Sequence, residues 1–302
     1  MNEADPASHP SIPPLGEGVE ECWMDFAGAR MRYLRAGAGP PLILLHGLMG
    51  YSFSWRYAMP ALAPYRTIYA PDLLGAGFSD RPKIDHSMRA TAQRVLNFIE
   101  RLRISSFDLL GTSRGGAVAM RAAADSLGCA TLKIEKLILV APVNPFSAHG
   151  RLLAAFCGTT LGGAITRAAL DRFPSQYPYW HARMFGDRSK IPPDSLEGYK
   201  APLQRPGLFN HALSIVKTWG ADLKELERLL PKLSGVPTLL IWGTKDPAVY
   251  YSSMEPLARY FPNAERVVFQ GVGHLPYEEC PEEFNRALIR FLTKRSGASP
   301  SP

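Results

Sequence analysis

The chain of 302 residues carries no long hydrophobic run. Its most apolar stretch, residues 152–165, is about 14 residues long where roughly 20 are needed to cross a bilayer, so it is expected to be a core or lid helix without stable membrane insertion. Cysteine is scarce. The four present, Cys22, Cys129, Cys157 and Cys280, lack the close spacing of a zinc knuckle or redox dithiol, which excludes those chemistries and predicts reduced, mostly buried thiols. Dense basic runs are missing too, although 34 basic residues against 27 acidic ones give a net charge of +7. A spread-out excess favours solubility and does not mark a nucleic-acid surface. The beginning of the chain, with Glu3, Asp5 and several prolines, lacks the basic start and apolar core of a secretory signal. The expected location is cytoplasmic.

What the chain does have is apolar material. At 46% hydrophobic content, a chain of this length can bury about three quarters of its unfolded surface in one sizeable core. Its 26 glycines and 27 prolines stay below the share that signals disorder throughout. Residues 1–18 and 295–302, poor in apolar side chains, are expected to be flexible tails.

Apolar runs of strand length then alternate with helical patterns, the rhythm of a parallel sheet. Residues 41–45, 67–70, 107–110, 136–140, 238–242 and 266–269 read as strands, most of them apolar enough to be covered on both faces. Residues 19–26 and 31–35 read as opening strands, antiparallel ones. Met88, Ala92, Val95, Ile99 and Leu102 repeat at helical spacing, as do Phe284, Ala287, Leu288, Phe291 and Leu292. Pro281 suits the first position of that last helix, with Glu282 and Glu283 complementing its dipole. Between residues 144 and 230 no convincing strand occurs. That segment is expected to be a helical cap inserted into a core of residues 19–143 and 231–294, with Phe173, Tyr177, Tyr179, Trp180, Tyr199 and Trp219 as candidate pocket aromatics.

Three residues suggest chemistry. Ser113 lies in Gly111-Thr112-Ser113-Arg114-Gly115, directly after a strand and before an alanine-rich helix. A strand that reverses sharply into a helix strains the residue at its apex, and Gly111, Gly115 and Gly116 supply the room this requires. The hydroxyl then stands exposed beside amide donors and the positive end of the helix dipole. A serine hydroxyl is a weak nucleophile near neutral pH and needs a base such as histidine. His274 follows the strand at 266–269, and Asp246 follows the strand at 238–242. Each sits where a parallel sheet brings strand ends to one rim. In these roles His274 takes the proton of Ser113 and returns it to the leaving group, while Asp246 fixes its tautomer.

His46-Gly47-Leu48-Met49-Gly50 and Asp72-Leu73-Leu74-Gly75-Ala76-Gly77-Phe78-Ser79 complete a set of motifs that resembles the α/β-hydrolase superfamily, in its branch with a helical cap after the sixth strand. The resemblance covers about residues 20–294. It implies an α/β fold with a mostly parallel, doubly wound eight-stranded sheet, and a triad of Ser113, Asp246 and His274. It further implies an oxyanion hole from the backbone amides of Leu48 and Arg114, with His46 orienting its loop. The region through Phe53 and Trp55 is similar to epoxide hydrolases and haloalkane dehalogenases. Those enzymes attack with an aspartate where this chain has Ser113, which favours a serine ester. Ester hydrolysis of a small or medium apolar substrate is the first expectation. C-C bond hydrolysis, with Arg167, Arg183 or Trp219 as polar lid groups, perhydrolysis and a small-molecule receptor role remain open alternatives. The expected partner is a small-molecule substrate; no metal or organic cofactor is implied.

Overall fold

A computed structural model describes residues 16–26, 28–147, 151–170 and 173–294. Eight strands form one sheet: β1 (Val19–Phe26), β2 (Ala29–Ala36), β3 (Pro41–Leu45), β4 (Thr67–Pro71), β5 (Ser106–Thr112), β6 (Lys133–Val140), β7 (Thr238–Gly243) and β8 (Glu265–Phe269). Their order is β1-β2-β4-β3-β5-β6-β7-β8. β1 and β2 pair antiparallel, β2 joins β4 antiparallel, and every pairing from β4 to β8 is parallel. The mostly parallel α/β architecture expected from the alternation of strands and helices is the one observed.

Alternation along each strand divides the core into two layers. On β3, Ile43 and Leu45 face one layer while Leu42 and Leu44 face the other; on β7, Leu240 and Trp242 oppose Leu239 and Ile241. Both sets are fully buried, so these strands have no solvent face and read as continuous apolar runs. α1 (Ala58–Leu62) covers the second layer. α2 (Met88–Arg101) and α3 (Arg114–Ser126) cover the first. The helical stripes give the reason: Ala92, Val95 and Ile99 of α2 pack inward, and the Ser87 hydroxyl caps it by accepting from the Ala90 N–H at 3.3 Å.

Between β6 and β7 the described residues form helices and turns only: α4 (Arg151–Gly158), α5 (Thr160–Leu170), α6 (Phe173–Arg183), α7 (Ser195–Lys200) and α8 (Leu208–Leu229). α9 (Met254–Ala258), α10 (Pro276–Glu279) and α11 (Pro281–Thr293) complete the chain, with Pro281 at the start of α11 and Phe284, Leu288 and Phe291 against the second layer. The single helix expected over residues 152–165 is two. Thr159 breaks it: its Oγ1 accepts from the Gly162 N–H at 3.0 Å, starting α5 afresh, and a Cβ on Gly162 would collide with the Phe156 carbonyl. Leu161, at 70% exposure, faces outward.

The thiols also depart from expectation. All four are free, but only Cys157 is buried; Cys22 lies on the edge strand β1, and Cys129 and Cys280 lie in connections, all three at intermediate depth. Residues 1–15 and 295–302 of the expected tails lie outside the described residues. No helix among the described residues is long and apolar enough to cross a membrane.

Candidate active site

Ser113 stands at the junction of β5 and α3 with φ 53° and ψ −123°, a conformation that L-residues adopt only under strain. Surrounding backbone holds it there. The Ser113 N–H donates to the Val140 carbonyl at 3.0 Å, and its own carbonyl accepts from Val143 at 2.8 Å and Gly116 at 3.0 Å. The flanking glycines are needed for close approach: a Cβ on Gly111 would strike the Gly115 carbonyl, and one on Gly115 would strike the carbonyls of Leu45 and His46. The sequence signal for a strained elbow thus has a steric cause.

His274 Nδ1 lies 2.7 Å from Asp246 Oδ2. The other carboxylate oxygen, Oδ1, accepts from the backbone N–H groups of Ala248 at 2.8 Å and Val249 at 2.9 Å. With both oxygens occupied, Asp246 fixes the Nδ1–H tautomer and leaves Nε2 as the basic nitrogen. Among the described residues, no hydrogen bond uses the Ser113 hydroxyl or His274 Nε2, and both side chains line the same two cavities. Contacts of this kind commonly tighten only when substrate is bound.

The backbone N–H groups of Leu48 and Arg114 make no hydrogen bond to other backbone. Leu48 lines both cavities, and Arg114 N opens α3 directly after Ser113. Neither donor is spent on the backbone, and both belong to residues next to the cavities or to Ser113. The Arg114 side chain turns away, donating to the His86 carbonyl at 2.8 Å and Thr91 Oγ1 at 3.1 Å. His46 accepts the Leu73 N–H on Nε2 at 3.0 Å and donates from Nδ1 to the Gly47 carbonyl at 2.8 Å. Burial lowers its pKa, so a neutral ring ties its loop to the Asp72 segment. Asp72 itself is buried, holding the N–H groups of Ser52 at 2.8 Å and Phe78 at 2.9 Å.

The larger cavity, about 360 Å³, is walled by Tyr177, Trp180, His181, Met184, Tyr199 and Tyr277. The smaller, about 280 Å³, reaches Ser147, Val216, Trp219 and Leu223. Of the candidate aromatics, Tyr177, Trp180, Tyr199 and Trp219 therefore line cavities. Tyr179 does not; it is 54% exposed and carries the Arg183 guanidinium, whose Nη1 donates to its hydroxyl at 3.0 Å. The side chains of Phe173 and Arg167 lie outside the described residues.

Sequence reasoning missed what holds the helical segment to the loop of His274. The His274 N–H donates to the Met184 carbonyl at 2.7 Å, and Glu279 accepts from Gly186 and Asp187 at 2.9 Å each and from Gly273 at 2.8 Å. Gly273 must be glycine, since a Cβ there would collide with the Met184 carbonyl. Glu278 and Arg56 were missed as well. Arg56 forks onto Glu278, with Nη2 2.7 Å from Oε2, and its Nε donates to Asp194 at 2.9 Å. Burial pushes the Glu278 carboxyl up, and Arg56 offsets only part of that rise. Partners 222 residues apart leave no periodic signal in a sequence. No cluster of metal-ligating side chains occurs among the described residues.

The profile of the alpha/beta hydrolase fold family matches residues 40–281, and the chain belongs to that family. It is 28% identical over 278 residues to an uncharacterized protein of Mycobacterium tuberculosis, covering 88% of this chain and 79% of that one. With the 2-hydroxymuconate semialdehyde hydrolase of Pseudomonas sp. strain CF600 it shares 27% identity over 285 residues, covering 91% and 94% of the two chains. A solved haloalkane dehalogenase from Agrobacterium tumefaciens C58 matches with TM-score 0.79 at 20% identity, covering 92% and 97%, a likeness of fold.

Proposed function

We propose that this chain is a serine hydrolase that cleaves a small to medium, mainly apolar carboxylic ester through an acyl-enzyme on Ser113. The observation that carries the reading is a strained, unbonded Ser113 hydroxyl on the same cavities as an imidazole whose tautomer Asp246 sets. His274 Nε2 removes the hydroxyl proton as Oγ attacks the carbonyl carbon. The oxyanion meets the N–H groups of Leu48 and Arg114, each such donor typically worth about 3 to 4 kcal/mol. The imidazolium then protonates the departing alcohol, and water repeats the sequence to release the acid. The helical segment between β6 and β7 acts as the cap that shapes both cavities and excludes water. This chemistry requires no metal or organic cofactor.

The test is burst release of p-nitrophenol from a short-chain p-nitrophenyl ester. Ser113→Ala should lower kcat by roughly 10^4 to 10^6; near-normal turnover in that variant would end the proposal. Likeness to 2-hydroxymuconate semialdehyde hydrolase supports a second reading, C-C bond hydrolysis by the same three side chains. Turnover of a meta-cleavage dienoate without activity on simple esters would select it.

A further inference from the structure

One wall of the larger cavity is organised around a single buried carboxylate. The fork of Arg56 on Glu278 occupies both oxygens, the geometry of an ionised carboxyl, which has no proton to give. Each neighbouring hydroxyl must spend its own. Tyr199 donates to Oε1 at 2.9 Å and Ser195 donates to Oε2 at 3.3 Å. With its proton committed, Ser195 Oγ can meet His181 Nε2, 3.0 Å away, only as an acceptor. The ring proton of His181 therefore sits on Nε2, and Nδ1 is left with a lone pair. Ser54 follows the same rule: its Oγ is 3.0 Å from the Tyr199 oxygen, whose proton is already given to Glu278, so the serine donates inward. The protons all run toward Glu278, and lone pairs are left on the side away from it.

His181 lines the cavity that Ser113 and His274 share, and its Nδ1 makes no hydrogen bond among the described residues. We infer that His181 Nδ1 recognises substrate, and that the substrate arm filling this cavity carries a neutral hydrogen-bond donor, a hydroxyl or amide N–H, in place of a carboxylate. This rests on reading the cavity as the substrate site. Much of the remaining wall is apolar and aromatic, so a donor on this side gains by meeting Nδ1. A carboxylate arm would face lone pairs, and no Lys or Arg lines this cavity among the described residues. Burial holds the His181 pKa down to about 4, so the acceptor persists at neutral pH.

Calorimetric titration with unreactive ketones tests this without relying on turnover. The probes are 4-phenyl-2-butanone, its ortho-, meta- and para-hydroxyphenyl analogues and its para-carboxyphenyl analogue. At least one hydroxylated probe should bind the wild-type protein roughly tenfold tighter than the parent, the effect of one well-made hydrogen bond, and the carboxylate should bind more weakly than the parent. His181→Phe keeps a ring of similar size and should abolish the hydroxyl preference while retaining the parent. Ser195→Ala releases the ring proton to either nitrogen and should shrink the preference. Equal binding of parent and hydroxylated probes by wild type would overturn the inference even if both variants failed to fold. An undiminished preference in His181→Phe would overturn it too. Loss of all ester hydrolysis with the probe preference intact would instead sink the ester reading alone.

Discussion

Replacing Ser113 by glycine should abolish turnover and stabilise the fold at the same time. The serine is held at φ 53° and ψ −123°, a conformation that costs a residue with a Cβ about 1 to 3 kcal/mol and glycine almost nothing. Its hydroxyl makes no hydrogen bond among the described residues, so deleting it forfeits little. Against the relief stands the extra freedom glycine gives the unfolded chain, about 0.4 to 1 kcal/mol. The balance favours Ser113→Gly over Ser113→Ala by about 1 kcal/mol, since both lose the nucleophile but only alanine keeps the strained Cβ. At this chain length that is a rise in Tm of about 2 °C. Urea unfolding of the two variants side by side measures it. A glycine variant less stable than the alanine variant would show that the elbow stores no strain, and that the nucleophile's exposure costs the fold nothing.

Asp246→Asn should lower kcat by roughly 10^4 with little change in Tm. The amide oxygen would keep the N–H groups of Ala248 and Val249, turning the amide nitrogen toward His274 and forcing its proton onto Nε2, where no base remains; activity within tenfold of wild type would contradict that geometry. Glu278→Gln leaves the buried Arg56 guanidinium half-paired and should cost about 3 to 5 kcal/mol in urea melts, whereas a matched apolar pair at both positions should recover much of it. Acid should weaken the fold through histidines buried neutral. Burial lowers His86 and His181 to about 4 and His211 to about 2, so between pH 6.5 and 4 the unfolded chain binds protons that the folded one refuses. Stability is therefore complete above pH 6.5 and falls as pH drops. His86→Gln should reduce the loss between pH 7 and pH 5 by roughly 1 to 2 kcal/mol, and an unchanged loss would refute the assignment.

By itself the sequence determined the fold class and the chain order of Ser113, Asp246 and His274, because these are local matters. Strands buried on both faces are unbroken apolar runs, α2 and α11 announce themselves by a helical repeat, and the glycines of the elbow mark a backbone that no Cβ could enter. The split of residues 152–165 at Thr159 was hidden because a side-chain cap competes with an apolar pattern that runs straight through it. Only tertiary structure decided the shape of the two cavities, the tether from His274 to Met184, and the neighbours of the His181 ring. Each depends on groups brought together across tens to hundreds of residues, Ser195 with Glu278 and Arg56 with both segments of its network. A proton's position on a ring follows from who its neighbours are, and neighbours are set by folding, not by spacing along the chain.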